Sequence, residues 1–181
     1  MLVRQSITAI PQEPLILRGT VRFNADPFSR HSDGRIVWAL MEVGIWDLIT
    51  TRGGLDAEMD NVALSRGQQQ LFCLTRALLA KPRILILDEV TSSVDSVREE
   101  HVMKVLRRNF AEATVLMIVH HLQFVRQFDR ILVLNQGKVV EWGEPEQLMT
   151  QDSAFRSLLK SQQGTTAYRH PRTSGTRGTL A

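Results

Sequence analysis

Two runs of large aliphatic residues stand out along the 181-residue chain, Ile84-Leu85-Ile86-Leu87 and Val115-Leu116-Met117-Ile118-Val119. Both are strand-length and uninterrupted by polar residues, which predicts strands buried on both faces, as in a parallel sheet. Residues 2–10 alternate more loosely through Leu2, Val3, Ile7 and Ile10 and predict a further strand, stopped by Pro11 and Pro14. Residues 19–28 predict a turn ending at Pro27. From Ser32-Asp33, an N-cap, the apolar positions Ile36, Val37, Leu40 and Met41 recur at helical spacing as far as Gly44. Ile45 to Ile49 predicts a shorter helical piece, and Arg52-Gly53-Gly54 a loop. Ser65 and Gln68 stand three apart, ahead of Leu71, Leu74, Ala77 and Leu78. That is a capping box opening a helix that stops before Pro82. After Asp95, the positions Val102, Val105, Leu106 and Phe110 outline another helix, with Arg98, Glu99, Glu100, Arg107 and Arg108 turned to water. Ile131–Leu134 and Val139–Trp142 flank Asn135-Gln136-Gly137-Lys138 as a hairpin. Two short amphipathic helices then end near Lys160, and residues 161–181, rich in Gly, Ser, Thr, Arg and Gln, predict a disordered tail.

Composition narrows this to a globular α/β domain. The chain is 43% hydrophobic and 23% charged, has the length of one ordinary domain, and holds no apolar run near the ~20 residues that span a bilayer. Met1 to Ser6 lacks the apolar core of a secretory signal. The single cysteine, Cys73, rules out an internal disulfide and fits a reducing compartment. Net charge is +3, from 22 basic and 19 acidic residues. The basic tail, with Arg169, Arg172 and Arg177 and no acid, carries the whole excess. The balanced body argues against a nucleic-acid-binding face, so no nucleic-acid partner is expected.

The candidate chemistry gathers at strand ends. Asp88-Glu89 closes the first aliphatic run, and open α/β sheets place their chemistry at the carboxyl edge of the strands. Adjacent acids there suit a metal-dependent phosphate reaction, one holding Mg²⁺ and the other orienting a water. Taken alone they fit a buried strand followed by a solvated acidic turn equally well. His120-His121 closes the second run; if the two runs share a sheet, His120 stands on the same edge as Glu89. Gln12 sits in a proline-bounded loop just past a strand end, and by itself is only a loop residue. Leu64-Ser65-Arg66-Gly67-Gln68 offers free N–H groups at a helix start, a hydroxyl and a glycine permitting close approach, which together make a phosphate-binding corner. The same residues fit a capped surface helix with nothing bound, and this segment does not separate the two.

Taken together and in order, these motifs resemble the nucleotide-binding domain of ATP-binding cassette (ABC) transporters over residues 2–160. Gln12 in Ile-Pro-Gln-Glu-Pro looks like the Q-loop, and Leu64–Gln68 like the signature LSGGQ. Ile84–Asp88 looks like Walker B, followed by Glu89 at the catalytic position. Ser92-Ser93-Val94-Asp95 looks like the D-loop, and His120 matches the switch histidine. Residues 19–28, Gly53-Gly54-Leu55-Asp56 and Gln70-Leu71-Phe72-Cys73-Leu74 are similar to the second cassette of subfamily C, the multidrug-resistance-protein-like transporters. The resemblance implies a partial P-loop NTPase (RecA-like) parallel sheet with an ABC helical subdomain. Residues 13–80 would form that subdomain, residues 81–160 part of the core, and residues 161–181 the tail.

The resemblance also implies Mg²⁺ and ATP as cofactors, in the cassette of an exporter that couples Mg·ATP hydrolysis to transport. Asp88 would hold Mg²⁺ through water and Gln12 would complete the metal shell. Glu89 would polarise the attacking water and His120 would stabilise charge on the γ-phosphate. Ser65, Arg66, Gly67 and Gln68 would face ATP held by an opposing cassette, and Asp95 would couple the two sites. The implied partners are that opposing nucleotide-binding domain and the transmembrane domains of the same transporter, at the cytoplasmic face of a membrane. Two departures qualify the match. Arg66 stands where the signature has glycine, which tunes the site without abolishing it. No GxxxxGK[ST] P-loop occurs, since the only Gly-Lys pair, Gly137-Lys138, is followed by Val139 in a hairpin. The expectation is a cassette truncated before its Walker A strand and helix, inactive by itself. The alternative is a non-catalytic fragment that binds another cassette through its signature helix. A chromosome-maintenance ABC ATPase is disfavoured, because no heptad run separates Gln12 from Leu64.

Overall fold

The computed structural model describes residues 6–91, 95–119 and 122–167, in two units that divide between residues 120 and 121. In the first unit, β1 (Ile7–Ile10), β2 (Ile84–Asp88) and β3 (Thr114–Ile118) form a parallel sheet in that order. Ile7 pairs with Ile84 and Ile84 with Thr114, and the ladder closes at Ile10–Leu87 on one side and Asp88–Ile118 on the other. Parallel neighbours need long crossovers. The first crossover holds five α-helices and a 3₁₀ turn, and the second, among its described residues, one α-helix.

Strand side chains alternate, so this register separates the sheet into two faces. Ile10, Leu85 and Leu87 share one face and are buried. Ile7, Leu116 and Ile118 share the other, with 38%, 54% and 53% of their surface exposed. The aliphatic runs predicted burial on both sides; only one side is covered by described residues of this unit.

The first crossover begins with α1 (Val21–Ala25), where the pattern predicted only a turn. Its start is set locally. Thr20 Oγ1 accepts the Phe23 N–H at 3.1 Å, while the buried Asn24 amide donates to the Leu17 and Thr20 carbonyls and accepts the Leu17 N–H. Next come α2 (Asp33–Glu42), α3 (Trp46–Thr50), a 3₁₀ turn at Gly54–Asp56 and α4 (Met59–Val62). Ser32 is the N-cap residue of α2 as predicted, but its hydroxyl makes no capping bond. Arg22 reaches across these elements to Asp33 and, at 2.9 Å, to Asp56. α5 (Arg66–Ala80) packs against α2 and β1 and closes the core, with Val21, Ile36, Leu40, Val62, Phe72 and Leu78 buried around it.

The second crossover is α6 (Ser96–Asn109). Val102, Val105 and Leu106 point inward as predicted, and Phe110, just past the helix end, is also buried. The pattern predicts Glu99 on the wet face, yet it is only 3% exposed and accepts the Thr91 Oγ1 hydrogen at 3.0 Å. Position 99 stands three and four residues before Val102 and Met103, so helical geometry puts it on the inward stripe whatever its charge. α6 is tied to the end of α2, where His101 Nε2 lies 2.7 Å from the Glu42 carbonyl and Asn109 Nδ2 donates to the Glu42 carboxylate at 3.0 Å.

In the second unit, β4 (Ile131–Asn135) and β5 (Lys138–Gly143) form the predicted hairpin, turning through Gln136 and Gly137 at φ of 47° and 74°. That pair of positive φ values suits the right-handed strand twist. α7 (Pro145–Thr150) follows with proline in its first turn, then α8 (Ala154–Ala167), which continues past Lys160. Glu141 of the hairpin caps α8, accepting the Ala154 and Phe155 N–H groups at 2.6 and 2.9 Å. Residues 168–181, the remainder of the expected tail, lie outside the described residues. No helix of the described chain is long and apolar enough to cross a membrane.

Candidate functional site

Parallel pairing brings the carboxyl ends of β1, β2 and β3 to one edge of the sheet. Gln12 follows β1 there, and Asp88 and Glu89 end β2. The two loops touch: Gln12 Nε2 donates to Glu89 Oε2 at 2.6 Å, across 77 residues of sequence. The Glu89 N–H donates to the Ile118 carbonyl at 3.1 Å, which fastens the acid to the end of β3. Glu89 has φ of 51°, in the left-handed region. That conformation costs a non-glycine residue on the order of 1–3 kcal/mol and turns the chain sharply off the strand. Asp88 is half-buried, one residue inside this turn. His120, predicted for the same edge, lies outside the described residues, as do Ser92, Ser93 and Val94 of the D-loop.

The edge offers two carboxylates and an amide oxygen, all hard donors. No group of three or more His, Cys, Asp or Glu that would cage a metal occurs among the described residues. This sparse oxygen set fits Mg²⁺, which takes one or two carboxylates and otherwise keeps waters and phosphate oxygens.

The start of α5 forms the predicted capping box. Ser65 Oγ accepts the Gln68 N–H at 3.3 Å and Gln68 Oε1 accepts the Ser65 N–H at 2.9 Å. Arg66 and Gly67 occupy the first two helical positions, whose N–H groups have no acceptor within a helix. Arg66 is exposed and Gly67 buried. Asp95 caps α6 in the same way, accepting the Arg98 N–H at 2.9 Å and pairing with the Arg98 guanidinium at 2.8 Å. The backbone N–H and the charge of Arg98 hold its carboxyl below the usual range.

The capping spacing revealed the start of α5 but not what the polar residues of its second and third turns do. Gln70, Cys73 and Arg76 recur every three residues and so form one polar stripe on a largely buried helix. Gln70 Nε2 donates to the Gln12 carbonyl at 3.2 Å. Arg76 Nη1 donates to the Leu15 carbonyl at 2.6 Å and its Nε to the Asn24 carbonyl at 2.7 Å. Burial lowers the Arg76 pKa and raises that of the Cys73 thiol beside it. Gln70 is 2% exposed, and its Oε1 has no hydrogen-bond donor among the described residues. A buried acceptor left so costs about 1–3 kcal/mol. The sequence signal available was three polar residues at helical spacing beside the apolar set Leu71, Leu74 and Leu78.

Comparison with known proteins agrees with this geometry. The family model described as ABC transporter matches residues 1–92. The chain is 47% identical over 159 residues to the ABC transporter ecdL of Aspergillus rugulosus, covering 88% of this chain and 11% of that protein. It is 37% identical over 169 residues to ATP-binding cassette sub-family C member 2 of Rattus norvegicus, covering 87% of this chain and 10% of that one. The chain therefore spans about a tenth of the length of these relatives. Among solved structures it resembles a bacterial Atm1-family ABC exporter with ATP bound, at a TM-score of 0.80 and 28% identity, over 88% of this chain and 28% of that one. The three-stranded parallel sheet, the helical crossover and a family match over more than half of the sequence converge: this chain belongs to the ABC transporter family and has the fold of part of its nucleotide-binding domain.

Proposed function

We propose that this chain supplies the Q-loop, signature and Walker B elements of a cassette that hydrolyses Mg·ATP to drive an exporter, similar to the second cassette of subfamily C. The observation that carries the reading is the 2.6 Å contact between Gln12 and Glu89 at the carboxyl edge of the sheet, beside Asp88. When bound, Mg²⁺ would supply charge neutralisation at the phosphates, with Asp88 and the Gln12 amide oxygen as its protein-side partners. Glu89 is the general base: its carboxylate accepts a proton from water, and its hydrogen bond to Gln12 together with the fixed backbone orients it. Such a base contributes on the order of 10²–10⁴-fold to rate. His120 would stabilise charge on the terminal phosphate. Ser65, Arg66, Gly67 and Gln68 offer a hydroxyl, a guanidinium and backbone N–H groups to phosphate held by an opposing cassette, and Asp95 couples the two sites. In this reading residues 13–80 carry the helical subdomain and residues 81–160 part of the RecA-like core. The P-loop is absent from the 181 residues, so phosphate cradling comes from outside them. The partners are an opposing cassette and transmembrane domains, and the site works at the cytoplasmic face of a membrane.

The test is Glu89→Gln in the intact protein that carries these residues. Mg·ATP turnover should fall by roughly the general-base factor while nucleotide binding persists. Turnover at the unsubstituted rate would remove Glu89 from the chemistry.

A further inference from the structure

We propose that Gln70 is a positioning residue that ties the signature helix to the Q-loop and, through Gln12, aligns Glu89. The inference rests on the ATPase reading above and deepens it. Three polar side chains on one stripe of α5 grip the segment after β1, but they do different things. Arg76 and Cys73 hold Leu15 and Asn24, the far part of that segment. Gln70 alone of the three reaches Gln12, through the backbone carbonyl, and the Gln12 side chain in turn holds Glu89. Two hydrogen bonds thus link the helix capped by Ser65 to the Glu89 carboxylate just past the end of β2.

The chemistry of Gln70 argues against a purely packing role. The site is almost fully closed to solvent, where an aliphatic side chain would bury without a polar penalty. A glutamine is kept there although its Oε1 has no donor among the described residues. The orientation is fixed, since turning the amide over would set Oε1 against the Gln12 carbonyl oxygen. One end of the amide therefore has a directed task, and the other bears the cost of it. A helix is stiff along its axis, so a displacement of α5 at Ser65 reaches the Gln12 carbonyl one and a half turns later with little loss.

The experiment uses the intact protein with Gln70→Met, which keeps length and burial and removes the donor. The kcat for Mg·ATP should fall about tenfold, the loss of one oriented hydrogen bond, while KM for ATP stays within about twofold. In a Gln12→Ala background the same substitution should add less than about twofold, because what Gln70 positions is already gone. In nucleotide-free protein, amide hydrogen exchange should quicken in residues 12–17 while residues 66–80 keep their protection. An unchanged kcat, penalties that multiply in the double variant, or equal loss of protection along α5 would each overturn the proposal. Should Gln70→Met not fold, Gln70→Leu is also apolar, of similar volume and without a donor; a wild-type kcat in that variant overturns the proposal as surely. If Glu89→Gln leaves turnover intact, the ATPase reading falls and this inference falls with it. If Glu89→Gln abolishes turnover while Gln70→Met does not change it, only this inference is lost.

Discussion

Cys73 shows how much a single residue's role depends on its surroundings. It is the sole cysteine, 5% exposed on α5 beside Arg76. Burial raises its thiol pKa above the ordinary value, and the nearby guanidinium only partly offsets that. The thiolate is the reactive form, so the folded chain should react with a thiol reagent at neutral pH far more slowly than the chain in denaturant. Equal rates in the two conditions would mean that α5 does not close over Cys73. Glu89 carries a second lesson at this scale. Its place after an aliphatic strand was legible, because an acid at the carboxyl edge of a parallel strand is a local pattern. Its left-handed backbone and its contact with Gln12 were not, since each depends on a residue far away in sequence.

Among the elements, helix starts were the most legible, because a cap is written within four residues. Ser65 and Gln68 form the box their spacing announced, and Asp95 caps α6. α1 was missed because its cap, Thr20, is followed by only five helical residues, too few to show a period. Charge alone points Glu99 to water, but its register, three and four residues before Val102 and Met103, sets it inward. The Asp95 cap sets a pH dependence. Arg98 depresses the folded-state pKa, so the cap's contribution is fully present above the unfolded value of about 3.9 and is lost as pH falls through the lower folded value. Urea unfolding monitored between pH 7 and pH 3 should therefore show a steeper acid loss for the wild type than for Asp95→Asn, whose side chain does not titrate. Parallel acid limbs would show that Asp95 contributes nothing through its charge.

For the molecule as a whole, the sheet face that the described residues of the first unit leave open has the largest consequence. Ile7, Leu116 and Ile118 form an exposed apolar face on strands whose opposite side is packed. Surfaces of this kind favour association. The 181-residue chain in isolation should bind a hydrophobic dye and aggregate, and Leu116→Lys with Ile118→Thr should reduce both by adding polarity where little packing is lost. Dye binding and aggregation unchanged by that pair would place the liability elsewhere. The sequence by itself determined the strands, the capped helices, the hairpin, the family and the residue types at each candidate position. These are written in local periodicity and short-range hydrogen bonding, which act over a few residues. Only the tertiary structure decided that Gln12 touches Glu89, that Gln70 holds Gln12 from a buried stripe of α5, that Glu99 turns inward and that the described residues of the first unit cover only one face of its sheet. Those outcomes depend on which distant segments pair, and pairing is set by the burial of the whole chain together.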